Sequence, residues 1–385
     1  MGKKTMVYRL KKWFVIFLIF VLFFMVGKQQ SYQADFWEVG KQVATEYFLK
    51  QVFYSQSVFW GFVQEMEFSV WSKEPRLVTE SVWEYEDKND IFYASEDIAD
   101  KVTQENKRIM EGEKEEINFS QNPSFVPVTT KQVEIDFGKY ATLESLIKEF
   151  YIIDSTTEAT EELFEIEKLK SYDCAVDKSV EGPQILIYHT HSQEAFANSE
   201  AGKEEDTIME AGAILASYLE EYGFSVLHHK GKYDVKKRDY AYSEALPEIE
   251  TILKENPGIQ VVIDLHRDAV NEDTKLVTSI QGRQMAKVMF FNGLSRSSQQ
   301  GEISYLQNPY IAENLAFSFQ MKVACDEYYP GFARSIYLRA YRYNMHLCPK
   351  TLLVELGAQT NTVEEIHESL APLAHVLSMV LSTKE

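Results

Sequence analysis

With 385 residues and 45% apolar side chains, the chain is long enough for one large globular domain plus a smaller unit, and it is not composed like a disordered protein. A formal net charge of -20 excludes nucleic acid as a partner, since nothing here neutralises a phosphate backbone, and any binding to an anionic wall or membrane surface must be specific. Cys174, Cys325 and Cys348 are too few and too scattered for a disulfide framework or a cysteine-based zinc site.

Lys3, Lys4, Arg9, Lys11 and Lys12 precede an apolar run from Trp13 to Gly27 that Lys28 closes. At ~1.5 Å per residue the run covers about 22 Å, and flanking lysines can snorkel across the rest of a ~30 Å hydrocarbon core. The pattern predicts a transmembrane helix over 13–28, behind a basic cytoplasmic tail at 1–12. The basic flank keeps the N-terminus inside, so the protein is expected as a single-pass cell-membrane protein with everything after Lys28 extracytoplasmic. A cleaved signal peptide is the competing reading, and Val26-Gly27-Lys28 is a poor cleavage site. Residues 29–173 read as an acidic, aromatic-spotted, partly helical stalk. Within it Val39–Gln64 has helical spacing, Asp87–Gly112 is charged and solvated, and Leu143–Ile153 is a short apolar helix or strand that braces the domain behind it.

The composition changes near Cys174. From there strand-like and helical runs alternate, which predicts an α/β domain over 174–385 with a largely parallel sheet flanked by helices. Expected strands are Ile185–Tyr188, Phe224–His228, Gln260–Leu265, Gln284–Asn292, Ile336–Arg339 and Thr351–Leu356. Expected helices are Asp206–Tyr222, Ser243–Asn256, Tyr310–Glu327 and Val363–Leu381. Gly and Pro fall mostly at the joints. A fragment starting near Cys174 is expected to fold alone.

Three strand ends carry chemistry. The run Ile185–Tyr188 leads into His189-Thr190-His191-Ser192-Gln193-Glu194, and ligands in open α/β sheets bind beyond the carboxyl ends of strands. If the chain stays extended, His189 and His191 point the same way. His191-x-x-Glu194 offers a nitrogen and an oxygen, both acceptable to Zn²⁺. A second strand ends in Asp264-Leu265-His266-Arg267-Asp268. His266 is the natural third ligand, with Asp264 or Asp268 to orient its ring; the plainer reading is a core histidine satisfied by Asp264. A third strand holds Glu355 inside Thr351–Gly357. There an unpaired carboxylate is costly or has its pKa raised, so it is expected either to accept and pass on protons beside an activated water or to be buried in an ion pair with Arg339 or Arg342. Together the three fit a zinc amidohydrolase. Weaker candidates are a surface pair at His228-His229, a Cys348–His346 nucleophile, and Glu204–Asp206 at a helix start. Cys348 reads better as a packed small hydrophobe.

These stretches resemble the stage II sporulation protein P family of endospore-forming bacteria. The resemblance covers about Phe150 to the C-terminus. It rests on Ile187–Glu194, Ile263–Asp268, the run from Tyr329-Pro330-Gly331-Phe332-Ala333-Arg334 to Arg342-Tyr343-Asn344-Met345-His346-Leu347, and then Leu353–Gly357 and Asn361-Thr362. It implies a zinc-dependent N-acetylmuramoyl-L-alanine amidase with endopeptidase activity on peptidoglycan. Such an enzyme acts at the septal membrane during engulfment, with the stage II sporulation proteins D and M as partners. By position, the family's metal and catalytic residues fall on His189 or its neighbours, His266 and Glu355. Two choices stay open: His189 or His191 as first ligand, and Glu194 or the Glu204–Asp206 cluster as the carboxylate. Arg267, Arg342 and Asn344 are the candidate substrate-binding residues. His191-x-x-Glu194 also looks like the motif of zinc carboxypeptidases, so a carboxypeptidase-like peptidase using His191, Glu194 and His266 is an alternative. A wall-binding scaffold without turnover is another.

Overall fold

The computed structural model describes residues 125–382; the expected cytoplasmic tail, the anchor at 13–28 and the stalk as far as residue 124 lie outside the described residues. Among the described residues no helix is long and apolar enough to cross a membrane.

In chain order the elements are α1 (Leu143–Phe150), β1 (Tyr151–Ile153), α2 (Ile166–Ser171), β2 (Ile185–Tyr188), α3 (Ile208–Glu221), β3 (Val226–His228), α4 (Ala241–Glu255) and β4 (Val261–Asp268). There follow β5 (Val277–Ile280), β6 (Arg283–Ala286), β7 (Val288–Gly293), β8 (Arg296–Ser297), β9 (Gly301–Glu302), α5 (Ile311–Tyr328), β10 (Ile336–Arg339), β11 (Thr351–Ala358) and α6 (Val363–Leu381). Seven strands form one sheet in the order β1-β10-β7-β11-β4-β2-β3. All neighbours run parallel except β11 and β7, which are antiparallel. The sheet is therefore mixed, and largely parallel as the alternation of elements predicts.

Two differences from the sequence reading matter. The run read as one strand over Gln284–Asn292 is divided: β6 closes a hairpin with β5, and β7 alone enters the large sheet. The hairpin turns at Gln281 and Gly282, both at positive φ, and so sets the direction in which the chain reaches β7. The sheet also begins before the change in composition near Cys174. The segment read as helix or strand is both, α1 then β1, and β1 pairs with β10 as the edge strand. It contributes Leu146, Phe150 and Tyr151 to the main core. A domain that starts at 174 leaves these out.

Alternation along the strands sorts side chains between two faces. Ile185, Ile187, Ile263, Leu265, Leu352 and Val354 face the larger core, under α1, α2, α3, α5 and α6. Leu186, Tyr188 and Val262 face the other way, onto Ala241, Ala245 and Ile249 of α4. Asp264 and His266 continue that second face along β4. Register places Leu353 beside Asp264 and Glu355 beside His266. Past the middle of α4 this face carries Met289, Phe291, Tyr337 and Leu353, covered by Tyr242 from the first turn of α4 and by Tyr343 and Met345 from the loop after β10. The polar residues of the strand ends are thus gathered beside the first turn of α4.

Candidate active site

Strand β2 ends at Tyr188, and the chain then turns instead of continuing extended. His189 and His191 consequently diverge, where an extended chain would have aligned them. His189 turns to the α3 side. Its Nδ1 lies 2.8 Å from the Leu265 carbonyl, which can only accept, so Nδ1 donates. Its Nε2 meets the Nε2 of His228 at 2.9 Å. Gly212 of α3 makes room for the pair, because a Cβ there would collide with both rings. His228, expected at the surface, is half-buried by this contact. Burial lowers the His189 pKa to about 4 and that of His228 to about 3, so both are neutral at pH 7.

His191 turns to the α4 side. Its ring lies 5.4 Å from that of His266 and 5.9 Å from that of Tyr242, centroid to centroid. Burial lowers its pKa to about 3. Its Nδ1 is buried with no hydrogen-bond partner, 4.0 Å from Asp234 Oδ2. Glu194 reaches the same place: Oε2 is 3.6 Å from His266 Nδ1 and accepts the Arg267 backbone N–H at 2.8 Å. Its other oxygen accepts from Arg238 Nη2 at 2.9 Å. Burial works to raise the Glu194 pKa, but hydrogen bonding and charge from His266 outweigh it and hold the carboxyl well below the usual range.

His266 stands between two carboxylates. Its Nε2 lies 2.8 Å from Asp264 Oδ1, close enough for charge attraction but not aligned for a hydrogen bond. Burial opposes its protonation, yet Asp264 and Glu194 raise its pKa well above the ordinary value. Asp264 is itself anchored, accepting from Thr190 N at 2.9 Å and Thr190 Oγ1 at 2.6 Å. Asp268 pairs instead with buried Arg334 at 2.6 Å, so Asp264 is the acid that faces the ring. The expected Asp264 partnership is present, with Glu194 added on the second nitrogen.

Glu355 lies beside His266 in the register of β11 on β4, and a bulge follows at once. Gly357 takes φ 62° in that bulge, where a Cβ would press on Ile366, Ala286 and Asn361, so the turn that aims Glu355 needs glycine. Oε2 of Glu355 is buried without a hydrogen-bond partner among the described residues. Burial first, then the negative charge of Asp268, push its pKa up to about 8. The arginines named for an ion pair have other contacts: Arg339 Nε lies 3.8 Å from Asp154, and Arg342 donates to the Gln307 carbonyl.

The structure therefore brings His191, Glu194, His266 and Glu355 together and engages both nitrogens of His189 elsewhere. Glu204 pairs with Lys232 at 2.7 Å and Asp206 with Lys203 at 3.5 Å, apart from this group. Cys348 is buried, its thiol pKa raised by burial, and its Sγ donates to the Gln260 carbonyl, as a packed small hydrophobe does. Arg267 clamps the Ala195 carbonyl at 3.1 Å. Asn344, at φ 54° and fully buried, donates to the Tyr242 carbonyl and leaves Oδ1 without a partner.

Sequence reasoning missed Asp234 and Tyr242. Asp234 accepts from Ser192 Oγ at 2.7 Å and Gln193 N at 3.0 Å, tying the loop after β3 to the histidine stretch. The Tyr242 ring lies nearly parallel to that of His266, their centroids 6.3 Å apart. Neither sits at a strand end, and Asp234 lies among lysines that read as plain surface. No spacing signal marks them.

For a divalent ion the chemistry of the donors fits: two imidazoles and a carboxylate, with Glu194 Oε2 3.6 Å from His266 Nδ1 and the His191 ring beside them. As the side chains stand, no three His, Cys, Asp or Glu among the described residues are drawn tightly enough to hold one. The carboxylates of Asp264 and Glu194 take up His266 instead.

A profile of stage II sporulation protein P matches residues 66–378, most of the chain and well into the expected stalk. The chain belongs to the stage II sporulation protein P family. Stage II sporulation protein P of Bacillus subtilis (strain 168) is 25% identical over 213 residues, which cover 50% of each chain. The match thus spans about half the length of that family member. Among solved structures, the catalytic domain of the CD27L endolysin targeting Clostridia difficile is 15% identical with a TM-score of 0.33, covering 52% of this chain and 98% of its own. The CwlD amidase from Clostridioides difficile, solved in complex with the GerS lipoprotein, is 13% identical with a TM-score of 0.31, covering 51% of this chain and 99% of its own.

Proposed function

We propose that the protein is a zinc-dependent peptidoglycan hydrolase of sporulation, an N-acetylmuramoyl-L-alanine amidase with endopeptidase activity. It is anchored by residues 13–28 and acts outside the membrane at the septum during engulfment, with the stage II sporulation proteins D and M as partners. Family membership supports the setting. The observation that carries the chemistry is the meeting of His191, Glu194 and His266 from two strand ends, with Glu355 in register beside them.

His191, Glu194 and His266 would hold the metal. Bound there, zinc would polarise the scissile carbonyl and make water acidic enough to attack near neutral pH. Asp264, anchored on Thr190, fixes the ring of His266, and Asp234 stands behind His191. Glu355 has a pKa near working pH, which suits a group that takes a proton from water and gives it to the leaving amine. Tyr242, which faces His191 and His266 and is backed by Tyr343, would wall the site with apolar surface against water.

The same three donors arranged as His-x-x-Glu with a distant His support a second reading, a carboxypeptidase-like peptidase. Digestion of purified peptidoglycan followed by mass spectrometry separates the readings. Free lactoyl-muramic ends mean amidase and new peptide termini mean peptidase. Absence of products would leave a wall-binding scaffold. Glu355→Gln should keep zinc and fold while both activities fall by about 10²–10⁴-fold, the usual worth of a positioned acid–base group. Loss of zinc in that variant would make Glu355 a ligand instead.

A further inference from the structure

The chain carries a net charge of -20, yet five of the nine residues from 230 to 238 are Lys or Arg. The loop that holds them, between β3 and α4, borders the site directly. Asp234 pins its middle to Ser192 and Gln193, and the Tyr233 hydroxyl meets His229 Nε2 at 2.6 Å. Between these anchors and α4, residues 235–238 form an exposed rim.

The charges on this loop are not equivalent. Lys230 and Lys232 converge on Glu204, at 3.5 and 2.7 Å, and Arg238 reaches inward to Glu194. Lys237 lies over the Tyr240 ring at 3.7 Å, a contact that orders the side chain without neutralising it. Lys236 makes no ion pair with a described residue. Beside these two surplus cations Val235 is 58% exposed, an apolar side chain on a charged rim. A positive edge with one apolar contact suits a ligand bearing carboxylates among small methyl side chains. A sugar polymer without charge offers it nothing.

We infer that Val235, Lys236 and Lys237 recognise the carboxylates of the peptidoglycan stem peptide, so that substrate is selected by its peptide and not by its glycan. This deepens the hydrolase reading and rests on it for the identity of the substrate. In a chain otherwise strongly negative, a local positive rim is also what lets an anionic peptide approach.

The test uses the full chain in mild detergent, with binding measured by anisotropy at low and at raised salt. Three probes are compared: a labelled disaccharide tetrapeptide with free carboxylates, the same compound with its carboxylates amidated, and a peptide-free glycan strand. The free-carboxylate probe should bind best, and its advantage should shrink with salt. Lys236→Glu/Lys237→Glu should weaken that probe by about ten-fold, with little effect on the amidated one. The same charge change placed far away, Lys139→Glu/Lys148→Glu, should stay within about two-fold. Equal binding of the first two probes would overturn the inference. So would tightest binding to glycan, tighter binding to poly(glycerol phosphate), or indifference to the rim variant. Because binding is read without turnover, a protein that binds in this way but releases no product refutes the hydrolase reading alone. One that cleaves peptidoglycan while ignoring the rim variant refutes this inference alone.

Discussion

Glu355 links stability to pH. Its folded pKa of about 8 lies above the ~4.3 of a free glutamate. Between those pH values the unfolded chain has released a proton that the folded chain still holds, so stability falls as pH rises through this window and levels off above it. Glu355→Gln cannot ionise. In metal-stripped protein it should raise the melting temperature at pH 8 and leave it nearly unchanged at pH 4, which thermal melts with chelator would read. Equal shifts at both pH values would mean that the carboxylate is not buried in solution. His266 works in the same direction. With its folded pKa raised, its stabilisation is complete below the ordinary ~6.5 and is lost as pH rises through the folded value. A metal at this imidazole must displace that proton, so zinc uptake near pH 7 should release protons, visible as a buffer-dependent heat of binding. His266→Ala should abolish zinc retention and turnover together. Gly212→Ala tests the other histidine pair: a methyl driven into His189 and His228 should cost about 1–3 kcal/mol of stability, the usual range for overpacking.

At the scale of elements, α1 and β1 decide where the folding unit begins. Leu146, Phe150, Tyr151, Phe164 and Leu169 are all buried in the main core, and β1 covers the edge of β10. Removing them uncovers the surfaces they pack on. At ~1.5–3 kcal/mol per large apolar side chain the sum rivals the whole ~5–15 kcal/mol stability of a domain. A fragment from residue 174 should therefore aggregate or lack a cooperative melt, while one from residue 125 should melt in a single transition. A stable, cooperative 174–385 fragment would show that β1 and α1 are accessory. The boundary was hard to see because α1 and β1 join directly and mix helical with strand-like spacing, and they lie on the acidic side of the change in composition.

For the whole molecule, the basic tail and the apolar run at 13–28 predict a protein that fractionates with membranes, its C-terminal domain open to external protease. Recovery of a soluble form beginning just after Gly27 would identify the run as a cleaved signal. The divided charge of the chain acts at this scale too, acidic overall and basic along one rim of the site.

The sequence alone determined which strands exist and what stands at their ends. Buried parallel strands need uninterrupted apolar runs, so Ile185–Tyr188, Val261–Ile263 and Thr351–Val354 stand out, and so do His191, His266 and Glu355 that follow or interrupt them. Only the tertiary structure turned His191 toward His266 and His189 toward His228, because that divergence depends on a turn after Tyr188 that no side-chain period records. It alone set Glu355 beside His266 and brought Arg238 and Asp234 to Glu194 and His191, since those pairings join residues far apart in the chain. Local pattern specifies elements, because backbone geometry repeats every few residues. A site is a meeting of elements, and register and crossover, which position it, have no local signature.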